Sequence, residues 1–244
     1  MTDRHYKKDT IIYERYKVKS ILGVGSYGIT YLCTNLVSDA LCVVKQMTKS
    51  KKRQEISQIY KQEIKILNML NHPNIPAYIE SFTYNEDCFF SMEYIKGRNF
   101  EDVLFYDKQT YKEIEALLLI RQLLEVIEYV HAQGVIHGDL RIPNVIVNKE
   151  KPYIIDFGLG TDASQHKNKA DLFRQDYYDL GDLLLFLLYS GYNAGVKKGR
   201  PWTEELSLHA TTRRLLKRML GIDQPYSNTK EIKSDLDMAI DQLS

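Results

Sequence analysis

Between positions 137 and 158 the side chains and their spacing suit phosphate chemistry assisted by a divalent cation. His137-Gly138-Asp139-Leu140-Arg141-Ile142-Pro143-Asn144 leads into Val145-Ile146-Val147; after a turn over 148–152, Tyr153-Ile154-Ile155 leads into Asp156-Phe157-Gly158. Pairing the two apolar stretches as a hairpin sets Asn144, before one strand, beside Asp156, after the other. Two oxygen ligands then converge at one open end. Such a set suits Mg²⁺, which keeps several waters and takes phosphate oxygens as further ligands. Asp139, on the same loop as Asn144, is placed to accept a proton from a hydroxyl.

Upstream, Gly23-Val24-Gly25-Ser26-Tyr27-Gly28 fits GxGxxG. The spacing alone is shared with dinucleotide-binding turns and with plain hairpin turns. Here the strand Ile29-Thr30-Tyr31-Leu32-Cys33-Thr34 follows the glycines, where the dinucleotide fold requires a helix. Backbone N–H groups of such a strand–turn–strand can close over phosphates. Val43-Val44-Lys45 ends a further strand, within reach of phosphates beneath that turn. Glu63 recurs with Ile59, Ile66 and Leu67 on the apolar face of a helix, where a carboxylate is costly unless paired. A Lys45–Glu63 ion pair is the simplest arrangement; a surface lysine and a solvated glutamate remain the alternative.

These side chains need two kinds of scaffold. Residues 16–22, 29–34, 41–45, 78–83 and 89–94 predict a strand-rich first part, interrupted by one helix over 51–70. After Lys96-Gly97 the period turns helical: Ile114, Leu117, Leu118, Leu124, Ile127 and Val130 share one face of a helix that stops at Gly134. Residues 180–189, apolar nearly all round, predict a buried central helix, and 206–220 and 231–243 predict amphipathic ones. The expected class is α+β and two-lobed: an antiparallel sheet with one long helix over 1–95 and a mainly helical lobe over 96–244. A cleft between such lobes is a preferred ligand site.

Composition narrows the partners. In 244 residues, 33 Lys and Arg balance 32 Asp and Glu, so no global field draws nucleic acid or anionic lipid. The basic run 49–53 reads as a solvated turn. Cys33, Cys42 and Cys88 form no CxxC and fit a reducing compartment better than a disulfide framework or zinc site. The greasiest run, 183–189, is far short of the ~20 residues that span a bilayer. A cytoplasmic protein with no membrane segment and no nucleic acid partner is expected.

GVGSYGITY, VVK, Glu63, MEYI, HGDLRIPN and DFG occur in the order, and near the spacings, of the eukaryotic-like protein kinases, which the chain resembles from about Tyr16 to Leu243. Residues 176–181 resemble the start of the kinase's buried central helix, and in close detail the chain resembles compact bacterial serine/threonine-protein kinases. The resemblance implies ATP as phosphoryl donor, Mg²⁺ or Mn²⁺, and protein hydroxyls as acceptors. Leu22, Thr30, Val43, Met92 and Ile146 would line the adenine slot, with Glu93 and Ile95 bonding adenine through their backbones and Asn99 near the ribose. Gly23, Val24, Gly25, Ser26, Tyr27, Gly28 and Ile29 would complete the ATP site. Lys45, paired with Glu63, would hold the α/β-phosphates, and Asn144 and Asp156 the metal. Asp139 would deprotonate the acceptor hydroxyl and Arg141 neutralise the γ-phosphate. Leu67, Tyr78, Phe157 and His137 would stack as a hydrophobic column.

The departures carry expectations too. Gly138 replaces the arginine that normally pairs with a phosphorylated activation loop. Only residues 159–175 separate DFG from Asp176, without the usual Ala-Pro-Glu, and 219–244 contain no arginine to pair with that missing glutamate. Joint absence leaves no orphaned buried charge, so a trimmed segment is expected, active without phosphorylation at Thr161 or Ser164. Thr30 and Val43 reshape the adenine slot. Two alternatives stay open: HGD also resembles small-molecule kinases, and a shortened docking platform suits a non-catalytic nucleotide-binding scaffold. Arg141 in DLRxxN resembles a subset of tyrosine kinases, but the overall likeness favours serine/threonine.

Overall fold

A computed structural model describes residues 5–25, 27–48, 53–163, 169–192 and 199–244, with the backbone alone over 53–56 and at 170. The chain divides into two compact units, Met1–Ile95 with Asp156–Leu159, and Lys96–Ile155 with Gly160–Ser244. The class is α+β, as predicted: the six-stranded sheet lies in the first unit, and six of the seven described α-helices lie in the second.

The first unit holds β1 (Ile11–Ile12), β2 (Tyr16–Val24), β3 (Gly28–Asn35), β4 (Ala40–Met47), α1 (Arg53–Met69), β5 (Tyr78–Tyr84) and β6 (Asp87–Glu93). Its strands form one antiparallel sheet in the order β1-β2-β3-β4-β6-β5. Alternation sends Ile29, Tyr31 and Cys33 to one face, where Tyr16, Val44, Phe82 and Phe89 complete an apolar core. The rings of Tyr16 and Phe89 stack on Phe82 at 5.3 and 5.2 Å. Each buried aromatic contributes roughly 1.5–3 kcal/mol, so the cluster holds the sheet without a staple. Two bulges bend β2, between Val18 and Ser20 and between Ile21 and Gly23, just ahead of the glycine turn.

The second unit holds β7 (Arg98–Asn99), α2 (Phe100–Phe105), α3 (Glu113–Ala132), β8 (Val135–Ile136), β9 (Val145–Asn148), β10 (Lys151–Ile154), β11 (Thr161–Asp162), α4 (Lys169–Tyr189), α5 (Trp202–Glu205), α6 (Ala210–Met219) and α7 (Thr229–Asp241). In α3, Leu117, Ile120, Leu124, Ile127 and Val130 recur at three- and four-residue steps and are all buried. Gly134 ends it at φ +73, a conformation that favours glycine. The chain's one tryptophan, Trp202, opens α5 and is half-buried.

Three sequence expectations need correction. The turn expected over 148–152 is tighter: Lys149 and Glu150 both take positive φ, and β10 resumes at Lys151. Pro152 is tolerated because β10 is an edge strand in the order β10-β9-β7. The helix expected over 206–220 begins four residues late. His209 donates its N–H to Glu113 at 3.0 Å, and its ring caps the Thr211 N–H at 3.4 Å, so α6 starts at Ala210. The central helix starts at Lys169, and although Leu180, Leu183, Leu184 and Leu187 are buried, its face with Tyr178 and Phe186 is exposed.

Candidate active site

In the first unit, register decides which side chains can meet. Gly23 lies opposite Thr30, Thr30 opposite Lys45, Lys45 opposite Phe90 and Val43 opposite Met92, so these residues share one face of the sheet. Ile29, expected at the nucleotide, faces the other way. It is buried in the aromatic core, because a one-residue step along a strand flips the face. Gly28 is required by packing: a Cβ there would lie 2.0 Å from the Gln46 carbonyl oxygen. At Gly23 and Gly25 a Cβ would meet nothing within 4 Å, so packing does not demand glycine there. Ser26 lies outside the described residues. Leu22, Val24 and Tyr27 are exposed, Ile95 is buried, and the Glu93 N–H donates to the Ala77 carbonyl at 2.8 Å.

Lys45 Nζ lies 2.7 and 2.8 Å from the two Glu63 carboxylate oxygens and 3.1 Å from Asp156 Oδ1. Glu63 is only 2 % exposed. Burial favours the neutral amine, yet the two carboxylates outweigh it and raise the Lys45 pKa. One ammonium cannot offset two acids: burial pushes Glu63 up to about 7, against the pull of Lys45 and with the push of Asp156. Asp156 itself sits at φ +63, a strained conformation for an L residue. Leu67 and Phe157 are buried, and Tyr78 is half-buried.

In the second unit, the loop after β8 is clamped from beneath. Asp176, fully buried in α4, accepts the His137 and Gly138 N–H groups at 2.9 and 2.8 Å and faces His131 Nε2 at 2.8 Å. Asp179, one turn on, accepts the Leu140 N–H at 3.1 Å. His137 Nδ1 accepts the Asp139 N–H at 3.3 Å, and Nε2 donates to the Ile155 carbonyl at 3.1 Å, a positioning role. The Asp139 carboxylate then receives Asn144 Nδ2 at 2.9 Å and Arg141 Nε at 3.0–3.2 Å. Asn144 Nδ2 also donates to the Asp139 carbonyl at 2.8 Å, which commits the amide nitrogen and leaves the amide oxygen as its acceptor. The hairpin closes with the Ile155 N–H on the Asn144 carbonyl, one residue before Asp156.

Asn99 and Ile146 are direct cross-strand neighbours, but Asn99 Oδ1 caps α2 through the Asp102 N–H at 2.7 Å, leaving its amide nitrogen as the donor. Arg218, just before the arginine-free stretch, is held by Asp235 and Glu231 at 2.8 and 2.9 Å. Sequence reasoning missed His131 and Phe90, the latter 5.9 Å below the Lys45 ammonium. Their roles depend on helix-to-helix and strand register, which local spacing does not reveal.

Residues 16–183 match the family described as "Protein kinase domain". The chain belongs to the protein kinase family. The kinase is 40% identical, over 99% of its length and 96% of the relative's, to the "Probable serine/threonine-protein kinase YbdM" of Bacillus subtilis (strain 168). It is 32% identical to "Calcium-dependent protein kinase 4" of Plasmodium berghei over 72% of its own length and 34% of that protein. To "Myosin light chain kinase A" of Dictyostelium discoideum the identity is 30%, over 59% of the kinase and 50% of the relative. Among its described residues no helix is long and apolar enough to cross a membrane.

Proposed function

We propose that this kinase transfers the γ-phosphoryl group of ATP to serine or threonine hydroxyls of proteins, using Mg²⁺ or Mn²⁺, in the cytoplasm. The observation that carries the reading is Lys45 held by Glu63 at 2.7 Å and by Asp156 at 3.1 Å. A buried carboxylate that fixes a lysine beneath a glycine turn places a cation where α/β-phosphates need one. Gly23 and Gly25 support it: their open Cβ positions leave room for backbone to approach phosphate.

Asn144 and Asp156 fit a divalent ion by donor chemistry, one amide oxygen and one carboxylate, with phosphate and water completing the shell. When bound, that ion neutralises phosphate charge. Asp139 orients the acceptor hydroxyl and takes its proton, while Arg141, exposed beside it, meets the γ-phosphate. Val43, Thr30, Met92, Leu22 and Ile146 line the adenine slot in this reading. Glu93, its N–H committed to Ala77, acts through its carbonyl, Ile95 through its N–H and Asn99 through its amide nitrogen. Residues 1–95 and 96–244 act as the lobes of one kinase domain.

The nearly full-length likeness to a relative named as a serine/threonine-protein kinase favours that acceptor class. Gly138 does not argue for a small-molecule kinase, because its φ of +74 is itself a reason for glycine. The test is incubation with labelled ATP, Mg²⁺ and a cell lysate, followed by phosphoamino-acid analysis. Phosphoserine or phosphothreonine absent from the Asp139→Asn reaction is expected; phosphotyrosine alone, or no labelled protein, overturns the proposal.

A further inference from the structure

The second unit carries a groove of about 470 Å³ lined by Leu104 and Phe105 of α2 and by Asp182, Leu185, Phe186 and Tyr189 of α4. None of these residues belongs to the site above. Phe105 is 59% exposed and Phe186 40%, a large apolar area left to water on two neighbouring helices. Tyr178, Asp182 and Phe186 recur at four-residue steps, so they lie in one row along α4. Asp182 is the only charged residue among those lining the groove. It makes no hydrogen bond or ion pair among the described residues, and burial by its apolar neighbours raises its pKa. A lone carboxylate in an apolar, aromatic groove lacks a cation. Arginine and lysine supply one, with an apolar stem to lie on leucine and phenylalanine and a head attracted to ring faces.

We propose that this groove docks a segment of the acceptor protein that presents an arginine or lysine beside an apolar side chain, with the cation on Asp182 and the apolar group against Phe105 and Phe186. Charge and surface chemistry both select this occupant over an acidic or purely apolar one. The inference rests on the reading of the chain as a protein kinase, and it assigns that kinase a preference for basic, apolar acceptor segments.

Binding and turnover test the two readings separately. The full chain is titrated, by fluorescence anisotropy without ATP, into a fluorescein-labelled serine peptide carrying an Arg-Leu pair and into its counterpart with glutamine for arginine. Wild type is expected to prefer the arginine peptide by about tenfold, the scale of one charge-assisted contact. Asp182→Asn should erase most of that ratio, and Asp182→Lys should turn the preference toward a glutamate peptide. Phe186→Ala should weaken both peptides. Autophosphorylation of Asp182→Asn should stay at the wild-type level, and its melting curve should match wild type.

A wild-type ratio within twofold, or a preference that survives in Asp182→Asn, overturns the docking site. A dimer that Phe186→Ala dissolves overturns it too, by giving the face to a second copy. Preference without transfer to any peptide or protein leaves the groove standing and overturns the kinase reading. Transfer without preference does the reverse.

Discussion

His131 Nε2 lies 2.8 Å from Asp176 Oδ2, and the same buried carboxylate holds the N–H groups of His137 and Gly138. The carboxylate can only accept, so three donors converge on it and fix the backbone that carries Asp139. Asp176→Asn replaces one acceptor oxygen by a donor and leaves at least one buried N–H unmet. A loss of about 2–3 kcal/mol is expected, roughly 4–12 °C in melting temperature, with kcat falling further than ATP affinity. A calorimetric scan and a steady-state titration check both parts; unchanged kcat would refute the positioning role.

Lys45 and Asp139 should fail differently. Lys45→Met removes a charge that touches phosphate in ground state and transition state alike, so ATP affinity and turnover both fall. Asp139→Asn should keep ATP affinity and lose roughly 10²–10⁴ in turnover, the usual worth of a general base. Isothermal titration with a non-hydrolysable ATP analogue separates the two. Equal losses of binding would contradict the separate roles.

Glu63 sets a pH dependence of opposite sign for stability and for activity. Its carboxyl, at 4.5 ordinarily, is pushed up to about 7 by burial, with Lys45 opposing and Asp156 adding to the shift. Between those values the folded chain holds a proton that the unfolded chain has released. This group's contribution to stability is therefore fullest below 4.5 and declines as pH rises to about 7. The Lys45–Glu63 ion pair is complete only after that ionisation, so kcat/KM for ATP should climb through about pH 7. Glu63→Gln should lower the plateau and flatten that limb; a limb of wild-type shape in Glu63→Gln would assign it to another group.

Asp156 combines strain with chemistry. At φ +63 a non-glycine residue costs about 1–2 kcal/mol, and its pair with Lys45, half-exposed on the Asp156 side only, is worth about 1 kcal/mol. Asp156→Gly should therefore melt at or a few degrees above wild type and transfer no phosphate. Retained transfer in Mg²⁺ would remove Asp156 from the metal site.

Thr161 pairs opposite Ile136 in a two-stranded ladder, and Gly138 offers no charge for a phosphate added there. Thr161→Ala on phosphatase-treated protein should keep activity within about tenfold of wild type, or ~1.4 kcal/mol in the barrier. A larger drop on an exogenous substrate would make the segment a phosphate switch. Ser164, the other candidate, lies outside the described residues.

What was legible in the sequence was local. The 145–155 hairpin follows from two apolar stretches around a turn and the Lys45–Glu63 pair from a carboxylate on the apolar face of a helix, and both are present in the fold. What escaped depended on residues distant in sequence. Asp156 reaches Lys45 across 111 positions, and Glu113, 96 positions away, holds the N–H of His209, the residue that caps the late start of the helix expected over 206–220. The Ile29 side chain was misplaced by one residue, because the bulges and register that set its face are properties of paired strands. His131 on α3 shows no periodic sign that it serves Asp176 on α4.

The position of Trp202 gives the molecule a built-in optical label. It is the chain's one indole and stands in the second unit, whereas the stacked rings of Tyr13, Tyr16, Phe82 and Phe89 lie in the first. Selective indole excitation therefore reports the helical unit alone, while tyrosine ellipticity draws on both, nine of the 18 tyrosines lying in each unit. Recorded on one sample, the two signals reveal whether the halves melt together or in turn, without any dye or tag.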